Sequence, residues 1–265
     1  MKGLTICIIL LSTISTVNST AQYYVNNYHI RQADVMWRMR VWRQIDLRQK
    51  INHPLYFPIE KSQGYSSLFD VLISGIRSGS ITAYGTGPLG NDDEMSTQLS
   101  RADIQSITHK VDSVWTPKLD SSGHDLVIVQ DSITSEQIIR YEIKEDWIFD
   151  KNRSQMTVRV IGIAPIMEHF TEDGISRGYT KLFWIDIKDA RSSLAAAPVF
   201  IRHNDNRALN YDDIFVKRFF DGQVIKVSNV YNRPIGSYAS GVDALLEGEA
   251  AEELILNFES DLWSN

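Results

Sequence analysis

Cysteine is almost absent from this chain. Its 265 residues include a single cysteine, Cys7. A disulfide framework, a thiolate zinc site and a cysteine nucleophile are therefore poor interpretations. Hydrophobic residues make up 43% of the chain, which is typical of a globular protein and not of a disordered one. At roughly 150 residues per domain, the length fits one large domain or two small ones.

Basic residues are fewer than acidic residues. The chain has 27 Lys+Arg against 33 Asp+Glu, and its formal net charge is -6. Such a mild negative charge provides no general attraction to nucleic acid or to anionic membrane surfaces. The composition therefore argues against a nucleic-acid-binding protein.

Residues 1–21 have the pattern of a secretory signal peptide. Lys2 gives a positive start, Leu4 to Leu11 is a short apolar segment, and Ser19-Thr20-Ala21 is a small-x-small cleavage site before Gln22. The apolar segment is too short to span a bilayer as a helix, and no later run approaches the roughly 18 residues of a span. We predict cleavage after Ala21, which removes Cys7 and exports a mature chain of residues 22–265.

Hydrophobic periodicity predicts the first elements of the mature chain. Val35, Met39 and Trp42 recur at helical spacing, which favours a helix over residues 34–50. Ser67, followed by Asp70 three residues later, is a typical N-cap for a second helix. Period-2 patterns then predict strands over 139–150, 156–164 and 179–187. Their short connections favour an antiparallel meander.

The C-terminal third is predicted to be helical. Asn210 is a plausible cap for one helix, and a last helix covers residues 240–262 with apolar residues at four-residue steps. In this pattern Leu254 is expected to be buried. Phe258 and Leu262, near the tip, fit either the core or a partner contact. The predicted fold class is α+β, an antiparallel sheet core flanked by helices with a long C-terminal helix.

Two motifs resemble catalytic signatures, but the residues around them do not predict the structure that each signature requires. Residues 85–90 match G-x-G-x-x-G, but the acidic residues that follow would repel phosphate, so a loop is favoured. Ser176 lies in a G-x-S-x-G match that leads from a polar loop into a strand, which favours a hairpin over a nucleophile elbow. The neighbours Glu145 and Asp146 would point to opposite faces of a strand. The six histidines show no recognised metal-ligand spacing, and we predict no catalytic, metal or cofactor site.

One segment suggests a protein-binding surface. Basic and aromatic residues are interleaved on the predicted first helix: Arg38, Arg40, Arg43, Arg48, Trp37 and Trp42. Interface anchors favour Trp and Arg, so we interpret this face as a docking surface for an acidic protein partner. A solvated basic face is the alternative.

Several segments resemble one known family, the gliding-motility proteins GldN, called PorN in non-gliding Bacteroidota. These segments follow one another in unbroken order: residues 34–58, 67–79, 143–165 (IKEDWIFDKNRSQMTVRVIGIAP), 182–187 (LFWIDI), 212–220, 228–233 and 241–263. Residues 85–137 match least, and we interpret them as a candidate variable insertion in a single domain of residues 22–265.

The resemblance implies a non-enzymatic periplasmic component of the type IX secretion machinery. Family members form a ring with the lipoprotein GldK/PorK and engage the motor protein GldM/PorM, so contact with the outer membrane is expected only through the lipoprotein. Two alternatives from other classes stay open. One is a secreted hydrolase that uses Ser176 or a dispersed metal site, and the other is a periplasmic glycan-binding module.

Overall fold

The computed structural model describes residues 30–117, 124–170, 175–201 and 209–264. The predicted signal peptide, residues 1–21, lies outside these ranges. The strands are β1 Val35–Asp46, β2 Ala83–Tyr84, β3 His109–Pro117, β4 His124–Ser132, β5 Ile138–Asp150, β6 Gln155–Phe170, β7 Ser176–Lys181, β8 Trp184–Asp186 and β9 Gln223–Val227. The α-helices are α1 His53–Tyr56, α2 Leu68–Ser78, α3 Arg101–Thr108, α4 Ile187–Ala196, α5 Tyr211–Lys217 and α6 Val242–Ser264.

Seven strands form one antiparallel sheet. Its order is β2-β8-β6-β5-β1-β9, and β7 also pairs with β6. The long strands β5 and β6 form a hairpin whose turn begins at Lys151, as the sequence predicts. The α+β class and the antiparallel meander are therefore confirmed. The predicted third strand is divided into β7 and β8, which both pair with β6.

The predicted helix over residues 34–50 is wrong, because this segment is strand β1. Its sequence also alternates with a period of two, since Val35, Trp37, Met39 and Val41 are separated by polar or less buried positions. Aromatic and β-branched side chains favour extended structure. Strand β1 pairs with β5 on one side and with β9 on the other. These pairings satisfy its backbone N–H and C=O groups, so the segment does not need the internal hydrogen bonds of a helix.

Two predicted helix starts are confirmed by their capping hydrogen bonds. The Ser67 Oγ accepts from the backbone N–H of Asp70 at 3.2 Å at the start of α2. The Asn210 Oδ1 accepts from the N–H of Asp213 at 2.8 Å at the start of α5. Each bond satisfies a donor that the first turn of a helix leaves without an intrahelical partner.

The two faces of the sheet are covered differently. Helices α2, α4 and α5 pack over one face, together with Ile45, Tyr141 and Ile163 from the strands. We call this the helix face. On the other face, Trp42 and Trp184 form a smaller cluster, against which Met95 packs from the segment between β2 and α3. We call this the loop face.

Residues 85–137 extend from the sheet edge into a separate two-stranded unit. Strand β3 pairs with β4 from His109 opposite Ser132 to Pro117 opposite His124. Helix α3 precedes this hairpin and begins with a capping box formed by Ser100 and Asp103. The interpretation of residues 85–137 as a variable insertion stays a prediction.

Helix α6 lies along β9 at the edge of the helix face. Its inward residues follow helical spacing along one stripe: Ala244, Gly248, Ala251, Ile255 and Phe258. The expectation that Leu254 is buried is wrong, because its side chain is 54% exposed whereas Ile255 is 2% exposed. Residues four apart in an α-helix differ in direction by about 40° around the helix axis. The predicted series of apolar residues at four-residue steps therefore turns away from the buried side of α6 before it reaches Leu254. No helix in the described ranges has the length and apolar character needed to cross a bilayer.

Candidate functional site

The predicted basic and aromatic docking residues lie in strand β1, which pairs with β5, except Arg48, which follows β1. Arg40 is opposite Asp146, Val41 is opposite Glu145, and Trp42 is opposite Lys144. Because side chains alternate along a strand, Lys144 and Asp146 belong to the loop face. Glu145 belongs to the helix face, as the sequence predicted for this neighbouring pair. The run Lys144-Glu145-Asp146 therefore supplies charges to both sides of the sheet.

A buried ion cluster on the loop face joins the sheet to the segment that covers it. The Lys226 Nζ lies 2.5 Å from Oδ2 of Asp93, and the Lys144 Nζ donates to the Asp93 backbone carbonyl at 2.6 Å. The Lys226 and Lys144 ammonium groups lie 4.2 and 5.3 Å from the Trp42 ring centroid. Burial lowers the pKa of Lys144, and the Asp93 carboxylate opposes this shift. This cluster fixes the path of residues 85–99 across the loop face.

A second ion cluster lies on the helix face around Glu145, which is fully buried. Its Oε1 accepts from Arg218 Nη1 at 2.5 Å, and the Nε of Arg43 lies 3.6 Å from its Oε2. Arg43 also donates to Oε1 of Glu252 at 2.5 Å and to the backbone carbonyl of Gly222. The cluster therefore ties β5 to the end of α5 and ties β1 to α6.

Arg38 and Arg40 share one carboxylate. The Arg40 Nε and Nη2 donate to the two oxygens of Asp146 at 2.7 and 3.1 Å, and Arg38 donates to the same group. This hydrogen bonding raises the pKa of Arg40. The Arg38 side chain is 49% exposed, so two cations and one anion present a net positive charge at the protein surface.

The structure does not bring the six predicted basic and aromatic docking residues to one face of the sheet. Arg38, Arg40 and Trp42 belong to the loop face, whereas Trp37 and Arg43 belong to the helix face. Trp42 and Arg43 are buried. Arg48 follows the strand and bonds Asp46 through Nη2 at 2.8 Å. Of the group, only Arg38, Arg40 and Arg48 present substantial charge to solvent.

Phe258, predicted to lie in the core or at an interface, contacts the sheet. Its ring stacks on Trp37 with centroids 4.7 Å apart and meets Phe149 edge-on at 6.2 Å. Leu262 lies in the last turns of α6, and its side chain is outside the described part. Phe258 therefore belongs mainly to the packing of α6 on the sheet.

The sequence reasoning missed an exposed apolar surface on α6. Five large aliphatic side chains of this helix are 46–69% exposed: Val242, Leu245, Leu246, Leu254 and Leu256. The helix has several carboxylates and no lysine, arginine or histidine. We call this surface the outer α6 face. The sequence of α6 does indicate such a surface, because its leucines are distributed over more sides of the helix than a single buried stripe can cover.

The motifs that resembled catalytic signatures fall in different structural contexts. Residues 85–90 form a loop, in which Gly87 and Gly90 have positive φ, and no helix follows directly. Ser176 is exposed at the start of β7. Gly174, the first glycine of the G-x-S-x-G match, lies outside the described residues. Within the described ranges, no group of three His, Asp or Glu side chains is arranged to hold a metal ion.

The geometry defines an α+β scaffold whose strand charges are largely engaged in internal ion pairs. The family model of the gliding motility associated protein GldN matches residues 30–264. The chain therefore belongs to the GldN family, whose members are components of the gliding motility and type IX secretion machinery, as the sequence resemblance indicated. No protein with a curated description matches the chain.

Proposed function

We propose that the mature protein is a non-enzymatic, periplasmic structural subunit of the type IX secretion and gliding machinery. In this role it forms a ring with a GldK/PorK-like lipoprotein and engages a GldM/PorM-like motor protein. The observation that carries the proposal is the family match over residues 30–264, which includes the whole sheet and α6. The signal-peptide pattern of residues 1–21 supports export to the periplasm.

The arrangement of charge supports a scaffold role. Glu145, Asp146 and Asp93 each meet two cationic side chains, and these contacts join separate elements of the fold. These ion pairs hold the sheet and its covering segments in fixed positions.

The outer α6 face is the surface best suited to a protein partner. Exposed leucines on one helix provide apolar contact area, and the neighbouring carboxylates favour a partner with basic groups around an apolar groove. We propose that this face contacts another subunit of the machinery. Arg38 and Arg40 offer a second, positively charged contact area of the predicted kind.

The proposal is tested by affinity purification of the protein from cell envelopes, with partners identified by mass spectrometry. Leu246→Glu with Leu256→Glu should leave the far-UV circular dichroism and melting temperature near wild type but reduce co-purification of the lipoprotein and secretion of cargo. Leu89→Glu is the matched control, because Leu89 is 85% exposed outside α6.

Two results would contradict this proposal. One is a protein that copurifies with none of the other secretion components. The other is a Ser176→Ala variant that is present at normal abundance and yet loses secretion, because that result would favour the hydrolase alternative.

A further inference from the structure

A cleft of about 860 Å³ lies between residues 50–65, which follow β1, and residues 200–201, which follow α4. Its volume falls within the roughly 300–1,000 Å³ of sites that bind small molecules. The lining contains aromatic rings, two prolines and Ile201, and it contains neither Asp nor Glu. We call it the aromatic cleft. It shares no lining residue with either ion cluster or with the outer α6 face.

One wall of the cleft is a continuous helical segment. Lys50 begins a 3₁₀ turn, Lys50–Asn52, that continues into α1. Lys50, His53 and Phe57 are three and four residues apart, so they lie on the same side of this segment. The His53 and Phe57 rings meet edge-on with centroids 5.4 Å apart, whereas Leu55 is buried in the core. This wall therefore presents an ammonium group, an imidazole and a phenyl ring to the cleft.

Asn52 holds this wall against the sheet. Its side chain is buried, and its Nδ2 donates to the backbone carbonyls of Asp46 and Asp221, each at 2.8 Å. Its Oδ1 accepts from the N–H of Asp221 at 2.9 Å. Because Asp46 ends β1 and Asp221 precedes β9, one amide fixes the helical segment to the ends of two paired strands. The position of this wall is therefore set by the fold.

A second wall consists of Tyr65 and Phe200, whose rings meet edge-on with centroids 5.7 Å apart. A tight turn positions Tyr65, since Ser62 and Tyr65 exchange two backbone hydrogen bonds of 3.1 and 2.8 Å. The residues between them, Gln63 and Gly64, have φ of 51° and 86°, as in a type I′ turn. Phe200 is 45% exposed, so part of its ring is available for contact with a ligand.

The cleft combines a basic group with apolar rings in an acidic chain. Lys50 is exposed, and no carboxylate in the described ranges pairs with its ammonium group. His53 adds ring nitrogens, and Ser62 and Gln63 add side chains that can donate hydrogen bonds. The whole chain has 33 Asp+Glu against 27 Lys+Arg, so the lack of acidic residues in this lining is a local feature. One cation beside several rings matches a ligand with a single negative charge and an apolar group.

We propose that the aromatic cleft binds a carboxylate ligand with an aromatic or branched apolar group, as found at the C-terminal residue of a peptide or in a small organic acid. The carboxylate pairs with the Lys50 ammonium group and accepts a hydrogen bond from the His53 ring, and such charge-assisted bonds are stronger than neutral ones. The apolar group packs between Phe57 and Phe200, where it makes favourable aromatic contacts.

This inference does not depend on the proposed function, because it identifies a ligand chemistry and no subunit of the secretion machinery. Its test uses small ligands and the purified mature protein. A negative result removes the aromatic cleft as a binding site and leaves the proposed role in secretion to its own experiment.

The test is isothermal titration calorimetry of the mature protein with N-acetyl-phenylalanine. Its neutral amide is the matched control, because it keeps the ring and removes the charge. We expect the acid to bind about tenfold more tightly than the amide, and the difference to shrink at high salt. N-acetyl-alanine, which lacks the ring, should bind about tenfold more weakly than N-acetyl-phenylalanine. Absence of binding by the acid, or equal affinity for acid and amide, would overturn the proposal.

Two further ligands identify the source of the carboxylate. Hydrocinnamate represents a small organic acid, and N-acetyl-Ala-Ala-Phe with a free carboxyl group represents the end of a polypeptide. Tighter binding of the tripeptide assigns the cleft to a polypeptide end, whereas tighter binding of hydrocinnamate assigns it to a small acid. Binding of neither ligand would contradict the carboxylate chemistry that the two share.

Variants separate the charge from the rings. Lys50→Gln should remove the preference for acid over amide, with Lys188→Gln as the matched control, because Lys188 is exposed and does not line the cleft. Phe200→Ala should weaken binding of N-acetyl-phenylalanine about tenfold, with Leu89→Ala as its control at a side chain that is 85% exposed. All four positions are exposed, so the melting temperature should stay near wild type. An unchanged preference in Lys50→Gln, or full affinity in Phe200→Ala, would overturn the assignment of the cleft.

Discussion

Arg43 of β1 and Glu252 of α6 are joined by a hydrogen bond of 2.5 Å between Nη1 and Oε1. The Arg43 side chain is buried and also lies beside Glu145, which has no exposed surface. One guanidinium thus links the C-terminal helix to the most deeply buried carboxylate of the sheet. The contact explains why an arginine points inward between the buried apolar residues Val41 and Ile45 of β1.

Replacement of Arg43 should therefore be costly. Arg43→Met leaves Glu145 buried with Arg218 as its remaining cationic partner, and breaking a buried pair from one side typically costs about 3–5 kcal/mol. Glu252→Gln should cost about 0–1 kcal/mol, because that side chain is partly exposed. Urea unfolding of both variants measures the difference. Equal costs would show that the helix contact and not the buried charge determines the effect of Arg43.

Asp93 should be essential for the covering of the loop face. Asp93→Asn removes the carboxylate between the buried ammonium groups of Lys144 and Lys226, with an expected cost of about 3–5 kcal/mol. Lys226→Met in the same background should restore part of the loss, since it removes one unpaired charge. Glu94→Gln, at an exposed neighbour, should change stability by no more than about 0.5 kcal/mol. Absence of rescue by Lys226→Met would contradict the ion-cluster explanation.

Gly248 should resist substitution although it lies inside a helix. A Cβ at this position would lie 2.7 Å from the backbone carbonyl oxygen of Val224 in β9. Alanine is favoured over glycine in a helix by about 1 kcal/mol, but overpacking against a rigid strand typically costs about 1–3 kcal/mol. We expect Gly248→Ala to lower the melting temperature. Ala250→Gly reports the helix propensity alone, and a stabilised Gly248→Ala variant would disprove the close approach of α6 to β9.

Alanine substitutions at the adjacent α6 residues Leu254 and Ile255 should have different effects on stability. Ile255→Ala should destabilise the fold by about 2–5 kcal/mol, because it leaves a cavity among the residues between α6 and the sheet. Leu254→Ala should change stability by no more than about 0.5 kcal/mol. If Leu254 contacts a partner, its variant will instead reduce co-purification of that partner. Thermal unfolding separates the two positions, and a large loss for Leu254→Ala would argue for a different rotation of α6.

The sequence predicted local features better than long-range ones. The caps at Ser67 and Asn210 were predictable because each depends on residues within one helical turn. Whether residues 35–46 form a helix or a strand was not predictable, since their apolar residues fit periods of both 3.6 and two. Only the pairing of this segment with β5 and β9 selects the strand. Neither ion cluster was predictable, because Asp93 and Lys226 are far apart in the sequence and meet only through the fold.

Burial of Tyr211 should make the stability of the fold sensitive to alkaline pH. Its Oη donates to the backbone carbonyl of Ser66 at 2.8 Å, and the side chain has no exposed surface. Burial, which disfavours the phenolate, raises the pKa of Tyr211 above its ordinary value near 10. The folded state therefore keeps the phenol proton at pH values where the unfolded chain releases it.

The direction of the effect follows from proton linkage. Below about pH 10 both states hold the proton, and the contribution of Tyr211 to stability is fully present. As pH rises from that value toward the higher pKa of the folded state, the unfolded state binds fewer protons, so this contribution falls by up to about 1.4 kcal/mol per pH unit. Tyr211→Phe should be less stable than wild type at pH 7 by about 1 kcal/mol, because it loses one hydrogen bond.

Above pH 10 the gap between Tyr211→Phe and the wild type should narrow and then reverse, since phenylalanine has no proton to lose. Urea unfolding of both proteins at pH 7, 9, 10 and 11 measures this gap directly, and the comparison cancels titrations that the two proteins share. Tyr231→Phe, at a side chain that is 77% exposed, controls for removal of a hydroxyl group. A gap that stays constant from pH 7 to 11 would show that Tyr211 ionises equally readily in the folded and unfolded states, and that the bond to Ser66 does not lie in a protected core.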